Sequence, residues 1–215
     1  MFKQILKIAL KGILAGIAIS IGGFLFIKTK EHTGNHVLAS FLFSIGLIFV
    51  CNFQYFLYTG KICYLIDEWK NKEQLNYGIQ LLFGYFGNLI GALIVALSVK
   101  YTISMPDFVK TMITSKATDN WYSLIVKGAF CGILIFIAVE GFKKIDNSLG
   151  KYIVLFLCVG GFIISGYEHS IADAFYFFLG NDILSTIPAL LLITLGNTIG
   201  GLIFPAIYLL IKKLD

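Results

Sequence analysis

Long apolar stretches, separated by short breaks that carry charges or proline, run along the whole sequence. A helix needs about 20 consecutive apolar residues to cross the hydrocarbon of a bilayer. Six stretches reach that length, at residues 5–27, 37–66, 75–99, 121–142, 152–179 and 183–211. The pattern therefore predicts an all-α membrane protein with six transmembrane helices, in a single transmembrane domain over residues 1–215.

Composition favours the membrane assignment. Hydrophobic residues make up 58% of the chain and charged residues 13%, which leaves too little polar surface to coat a soluble globule of 215 residues. The four cysteines are scattered singly along apolar stretches, without CxxC spacing or a nearby histidine cluster. We expect them to be packing residues rather than metal ligands.

The distribution of lysine predicts the orientation of the chain, because positive residues are enriched on the cytoplasmic side. All 17 basic residues are lysine. With the amino terminus inside, ten lysines fall in the inner segments and five in the outer ones. This predicts a multi-pass protein of the cytoplasmic membrane with both termini in the cytoplasm. The net charge of +5 is spread over short loops, so a nucleic-acid partner is not expected.

Two sequence patterns recur in the two halves of the chain. A Lys-Gly pair followed four residues later by glycine, at residues 11–16, returns at residues 127–132. The run at residues 87–94 returns at residues 196–203 with six of eight positions identical. Such self-similarity at a fixed separation indicates an internal repeat.

A third recurring feature is a middle span interrupted by polar residues, at residues 52–61 and again at residues 165–173. Each repeat, about 5–101 and about 121–211, holds three spans. Because three is an odd number, consecutive copies enter the membrane from opposite sides. The repeat is therefore predicted to be inverted, with a pseudo-two-fold axis in the membrane plane.

Both middle spans are predicted to be broken helices. The second stretch is too long for one straight crossing and contains Thr59-Gly60, and the fifth contains Ser165-Gly166. Non-helical backbone at membrane depth survives where it lines a watery cavity, and free amide N–H groups at half-helix starts attract anions. The two breaks therefore indicate an anion path near the midplane, where inverted repeats place their binding sites.

His169 is the leading candidate for chemistry in this path, because an ionisable group inside a span is costly and usually functional. A neutral, hydrogen-bonded core histidine is the alternative interpretation. Since histidine titrates near neutrality, His169 is suited to lend a proton to a weak-acid anion and then recover it. No metal or cofactor is predicted, since His32 and His36 lie in the first outer loop and no second ligand accompanies His169 at helical spacing.

Four segments resemble the formate/nitrite transporter family and fall in the family's order: residues 11–16 (KGILAG), 57–60 (LYTG), 87–92 (GNLIGA) and 166–172 (GYEHSIA). The resemblance runs from about residue 7 to 211. It implies an aquaporin-like fold of six spans, assembled as a homopentamer with a pore through each protomer. The substrates it implies are formate, nitrite, hydrosulfide, acetate or lactate.

By position, the resemblance implies that His169 is the central pore histidine and Thr59 its partner from the other broken helix. Lys116 matches a vestibule lysine whose positive charge would raise the local anion concentration, with a solvated loop lysine as the alternative. The resemblance also assigns a set of apolar residues to two hydrophobic constrictions. For each of them, ordinary packing remains an alternative. This set is Phe43, Leu47, Leu57, Phe162 and, on the fourth span, Ile135.

Three positions depart from the family, which usually has asparagine there: Lys61, Asp173 and Gly132. Lys61 and Asp173 lie 112 residues apart, at equivalent places after the two breaks. The pseudo-two-fold axis is therefore expected to bring them together as an ion pair, since a lone charge at that depth is costly. The residues expected to support the site are Glu168, Lys61, Asp173, Asn88 and Asn197.

Together these patterns predict a channel or transporter for small monovalent anions or their weak acids, with protons as a further candidate partner. An enzyme is not predicted, because the only polar cluster is Glu168, His169 and Ser170, whose adjacent side chains point in different directions on a helix. The alternative is a membrane partner or structural subunit without transport activity.

Overall fold

The computed structural model describes residues 2–66 and 74–214. These residues form helices without any strand, so the all-α prediction is confirmed for this part of the chain. A short 3₁₀ helix, Ile62–Tyr64, follows α4. The α-helices are α1 (Phe2–Thr33), α2 (His36–Leu42), α3 (Ile45–Asn52), α4 (Tyr58–Lys61), α5 (Gln74–Lys100), α6 (Asp107–Ala117), α7 (Trp121–Lys144), α8 (Ser148–Ile164), α9 (Ser170–Leu179) and α10 (Ile183–Ile211).

Within residues 2–66 and 74–214, four helices are long and apolar enough to cross a membrane, by length and composition. They are Phe2–Thr33, Asn76–Lys100, Trp121–Lys144 and Ile183–Ile211. They correspond to the first, third, fourth and sixth predicted spans. The first has 32 residues, more than the about 20 that hydrocarbon requires, so α1 is long enough to extend beyond the apolar layer.

The second and fifth predicted spans are each divided. The second consists of α2, α3 and α4, and the fifth of α8 and α9. The two breaks that concern the site lie at residues 53–57 and 165–169. Ser165-Gly166 opens the second break as expected, whereas Thr59-Gly60 lies inside α4, just after the first break.

Both breaks begin with the same backbone motif. The amides of Gly166 and Tyr167 bond to carbonyls three and five residues earlier, and the amides of Gln54 and Tyr55 do the same. This is the Schellman motif, which ends a helix with one residue in the left-handed conformation. That residue is Gly166 (φ 68°) in the second break and Gln54 (φ 53°) in the first.

Small residues bring α1 close to α5, and α7 close to α10. A Cβ atom at Gly16 would overlap the carbonyl oxygen of Asn88, and a Cβ atom at Gly132 would overlap that of Asn197. Gly132 therefore has no room for the asparagine that the family usually carries. The close approach places Asn88 and Asn197 beside the two breaks.

The apolar-stretch pattern did not predict α6, which is too short to span a membrane. Its apolar residues Phe108, Val109, Met112 and Ile113 recur at helical spacing, and Val109 is buried. α6 packs on α9 and α10. In this way the helix carries Lys116 to the start of α9.

Candidate functional site

Asn88 of α5 holds the first break in place and is fully buried. Its side-chain oxygen accepts a hydrogen bond from the amide of Tyr58 at 2.9 Å. Its side-chain nitrogen donates to the carbonyl oxygens of Phe56 at 2.8 Å and of Gly12 at 2.9 Å. One side chain thus satisfies the backbone on both sides of Leu57 and ties it to α1.

Asn197 of α10 does the same for the second break. Its oxygen accepts from the amide of Ser170 at 2.8 Å, and its nitrogen donates to the carbonyls of Glu168 at 2.8 Å and Gly128 at 2.9 Å. The peptide groups on either side of His169 are therefore fixed. Leu57 and His169 occupy equivalent places, each immediately before the first residue of a half-helix.

His169 joins the two halves. It is 2% exposed, and its Nε2 atom lies 2.8 Å from Oγ1 of Thr59, which is 1% exposed. Its Nδ1 atom accepts a hydrogen bond from the amide of Ala172 at 3.2 Å, so the imidazole is the N-cap of α9. The structure thus brings together the two polar residues that were predicted to face each other.

The hydrogen bonds assign the tautomer of His169. Because Nδ1 accepts from Ala172, the neutral ring carries its proton on Nε2 and donates it to Thr59. The Thr59 hydroxyl has no second hydrogen bond among the described residues. Its own hydrogen is therefore not engaged by any described residue, although Thr59 itself lines neither of the two cavities described below.

A cavity of about 220 Å³ lies on the side of His169 toward the end of α1, and we call it the distal cavity. Phe162 stacks on the imidazole with ring centroids 5.9 Å apart, and Phe43 meets Phe162 edge-on at 6.1 Å. Both phenylalanines line the cavity with His169. An apolar collar therefore lies next to the histidine on this side.

Lys116, Glu168 and Asp173 form a buried charged group beside the distal cavity. The Lys116 ammonium contacts Oε2 of Glu168 and lies 2.9 Å from Oδ1 of Asp173. Burial by itself lowers the pKa of the Lys116 ammonium, but the carboxylates of Asp173 and Glu168 outweigh it and hold the pKa above its ordinary value. The lysine is neither a solvated loop residue nor an unopposed positive charge.

A second cavity, of about 320 Å³, lies toward the start of α1, and we call it the proximal cavity. Leu57 and Lys61 line it together with Val139 and Lys143. Leu57 is 1% exposed, while Lys61 is half-buried with its ammonium 5.5 Å from the centre of the Tyr64 ring. Lys61 makes no ion pair with any residue that the structure describes.

The predicted ion pair between Lys61 and Asp173 is wrong. Asp173 pairs with Lys116, and Lys61 lines the cavity on the opposite side of His169. The reason is the direction of the half-helices, since α4 and α9 start close together and run apart. Only residues at their starts meet, as Thr59 and His169 do, while residues farther along diverge.

Two of the apolar residues assigned to constrictions line neither cavity. Leu47 and Ile135 are each 1% exposed and belong to the main hydrophobic core together with Leu57, Phe43 and Phe162. Their role in a path stays a prediction. Among the described residues, no group of three or more His, Cys, Asp and Glu side chains is placed to hold a metal ion.

The contact between Lys116 and Asp173 was not predicted from the sequence. The available signal was the helical spacing of apolar residues in α6, which would have placed Lys116 on a packed helix. Asn88 and Asn197 were expected to support the site, but the hydrogen bonds by which they hold the two breaks were not predicted. A buried asparagine beside a broken helix has the donors and acceptor that such a break needs.

Comparisons with known proteins agree with this geometry. The family model for the formate/nitrite transporter matches residues 1–211. The nitrite transporter NirC of Escherichia coli is 33% identical over 133 residues, which cover 56% of this chain and 49% of NirC. This chain thus spans about half the length of that relative.

Two solved structures share the fold. An FNT family ion channel has a TM-score of 0.86 and 26% identity, covering 96% of this chain and 90% of that one. A pentameric formate channel with formate bound has a TM-score of 0.80 and 25% identity, covering 99% of both chains. The resemblance seen in the four short segments is confirmed over almost the whole sequence. The chain belongs to the formate/nitrite transporter family.

Proposed function

We propose that this chain is a channel or transporter for small monovalent anions or their weak acids, of the class that includes formate, nitrite and hydrosulfide. The observation that carries the proposal is the buried hydrogen bond between His169 and Thr59, which lies between two cavities that approach it from opposite sides. The activities for which its relatives are named, nitrite transport and formate conduction, support the same class of substrate.

In this proposal the chain crosses the cytoplasmic membrane six times, as two inverted three-helix repeats whose second and fifth spans are broken. The matched hydrogen bonds of Asn88 and Asn197 support the repeat. The lysine distribution supports cytoplasmic termini. The pentameric state of the related formate channel supports a homopentamer with one path in each protomer.

His169 acts on the protonation of the substrate. In its resting form the ring is neutral and its Nε2–H donates to Thr59, which leaves the Thr59 hydroxyl hydrogen as the donor for an incoming anion. To lend a proton the ring must first become an imidazolium, which also protonates Nδ1 and breaks the hydrogen bond from Ala172. An anion beside the ring favours the imidazolium, because it supplies the opposite charge in a low-dielectric site.

The apolar collar explains why protonation matters. Phe43 and Phe162 on the distal side and Leu57 on the proximal side offer a permeating ion no polar contact, and a charged species pays a large desolvation cost there. The neutral acid crosses these residues more easily. Leu47 and Ile135 are assigned to the same constrictions.

Flux into proteoliposomes tests this function. Formate, nitrite and hydrosulfide fluxes are measured as a function of pH for native protein, His169→Phe and His169→Asn. Asparagine can still cap α9 but cannot titrate near neutrality, so it separates capping from proton chemistry. Both variants are expected to lose roughly 100-fold or more in flux, the usual share of acid–base catalysis.

The matched control is His32→Phe, which changes an exposed histidine in the last turn of α1 and is expected to keep native flux. Native flux in His169→Asn would show that the ring only caps the helix. An absence of pH-dependent flux for every small monovalent acid would contradict transport and favour the partner-subunit alternative.

A further inference from the structure

The charged group beside the distal cavity holds more negative than positive charge. One ammonium, that of Lys116, faces the carboxyl groups of Glu168 and Asp173. The carboxyl side chains are 6% and 2% exposed, so water screens them little. With all three groups ionised, the net charge next to His169 is negative, which repels an arriving anion.

One oxygen of this group lacks a partner. Oδ1 of Asp173 accepts from Lys116, but Oδ2 is buried without a hydrogen-bond partner among the described residues. A buried carboxylate oxygen without a donor is costly, and a bound proton removes its charge. Glu168 and Asp173 face the same ammonium, and two carboxyl groups that share a site do not both ionise readily.

Among the residues that the structure describes, no second cation makes an ion pair with Asp173. The Lys30 ammonium lies over the rings of Phe26 and Phe108, at 5.9 and 4.7 Å from their centres. At the far end of α9, Lys100 of α5 donates to a backbone carbonyl. The titratable and charged groups that face Asp173 or share its cavity are Lys116 from α6, Cys131 from α7, Glu168, His169 and Tyr176 around α9, Lys30 from α1 and His36 from α2.

We propose that Glu168 and Asp173 together hold one proton and that this proton admits anions to the distal cavity. The proton comes from water on the distal side and bonds to one carboxylate oxygen. This step is a proton transfer without oxidation or reduction. With it, the group is neutral and an anion can approach Lys116 and His169. Without it, the group repels anions from Lys116 and His169 and favours entry of the neutral acid. Asp173 is thus a specificity-determining residue, an inference that rests on the proposed function.

Formate flux in native and Asp173→Asn proteoliposomes tests this role between about pH 5 and about pH 9. Asparagine keeps the size of the side chain and the oxygen that accepts from Lys116, but it cannot carry a negative charge. The ratio of variant to native flux at each pH removes the titration of formate itself. The ratio is expected to be near unity in acid and to rise on the order of tenfold in alkali, as one repelling charge is removed. A ratio that stays constant across the range overturns the inference.

Two further variants locate the effect. Asp107→Asn changes a fully exposed carboxylate at the start of α6 and is expected to give a ratio that does not depend on pH. His36 shares the cavity and is a second titratable group there, with its pKa lowered by burial and by the charge of Lys30. If the pH dependence of flux disappears in His36→Gln and persists in Asp173→Asn, the proton belongs to His36 and the inference is overturned.

Infrared spectroscopy tests the proton without transport. The native protein is expected to show the carbonyl stretch of a buried protonated carboxyl group at neutral pH, and Asp173→Asn is expected to lack it. A band that persists in the variant overturns the inference. A native protein that carries no small anion at any pH contradicts the proposed function, and the infrared result then still decides whether the proton is present.

Discussion

The two breaks have the same backbone and different side chains. Each begins with a Schellman motif and ends at a half-helix whose first amide bonds to a buried asparagine from the neighbouring long helix. The residue just before the half-helix is Leu57 in one copy and His169 in the other. One turn later the copies carry Lys61 and Asp173.

This contrast separates architecture from chemistry. The shared parts, Asn88 with Asn197 and Gly16 with Gly132, satisfy buried backbone groups and bring helices together. The parts that differ decide what a ligand would meet. On the proximal side a ligand would meet an apolar residue and a half-buried ammonium, and on the distal side an imidazole and a carboxyl pair bound to Lys116.

The largest expected effect comes from removing either asparagine. Asn88→Leu and Asn197→Leu each leave buried backbone groups beside a break without hydrogen bonds, at a cost of about 1–3 kcal/mol for each group. Each variant is expected to lower the free energy of unfolding by about 3 kcal/mol or more. Thermal or denaturant unfolding in detergent measures this loss.

The matched control is Asn120→Leu, at an exposed position where the side chain makes no capping bond, and its effect is expected within about 0.5 kcal/mol of zero. Clearly unequal losses for Asn88→Leu and Asn197→Leu would show that the two breaks depend on their asparagines to different degrees.

A smaller effect is expected where the helices approach each other. Gly16→Ala and Gly132→Ala each place a methyl group against a backbone carbonyl, and overpacking of this kind costs about 1–3 kcal/mol. Gly161→Ala in α8 meets no atom within 4 Å, so it is expected to stabilise slightly through helix propensity. Unfolding curves give the free energy of unfolding of the three variants. An unchanged value for Gly132→Ala would mean that α10 can shift at no cost.

The all-α fold and the polar interruptions beside the site could be predicted from the sequence. Six apolar stretches and the polar interruptions predict the spans and the places where two of them are divided, and the repeated run marks Asn88 and Asn197. The pairing of Thr59 with His169 also followed from the resemblance, because both lie at the starts of half-helices. Such features depend on local pattern and order along the chain.

Charge pairing could not be predicted in the same way. Asp173 was predicted to pair with Lys61 because the two residues hold equivalent positions after the two breaks. The sequence does not show the direction in which each half-helix runs. Its observed partner, Lys116, comes from α6, outside both repeats. A contact between a repeat and an inserted helix depends on tertiary packing, which the residue pattern of one sequence does not reveal.

The smallest expected effect concerns the left-handed residue that ends α3 and α8. A residue other than glycine pays about 1–2 kcal/mol in this conformation, and only the second break has glycine there. Gly166→Ala is therefore expected to lower the free energy of unfolding by about 1 kcal/mol. Gln54→Gly is expected to raise it by less than about 1 kcal/mol, because added freedom in the unfolded chain offsets part of the relief.

Gly34→Ala separates backbone strain from a role in the break. Gly34 has a φ of 64° after α1, far from either asparagine, and a Cβ there meets no atom within 4 Å, as at Gly166. If backbone strain alone matters, Gly34→Ala and Gly166→Ala are expected to lower the free energy of unfolding by equal amounts. A clearly larger loss for Gly166→Ala would mean that the Schellman turn also positions His169, and formate flux should then fall in Gly166→Ala while Gly34→Ala keeps it.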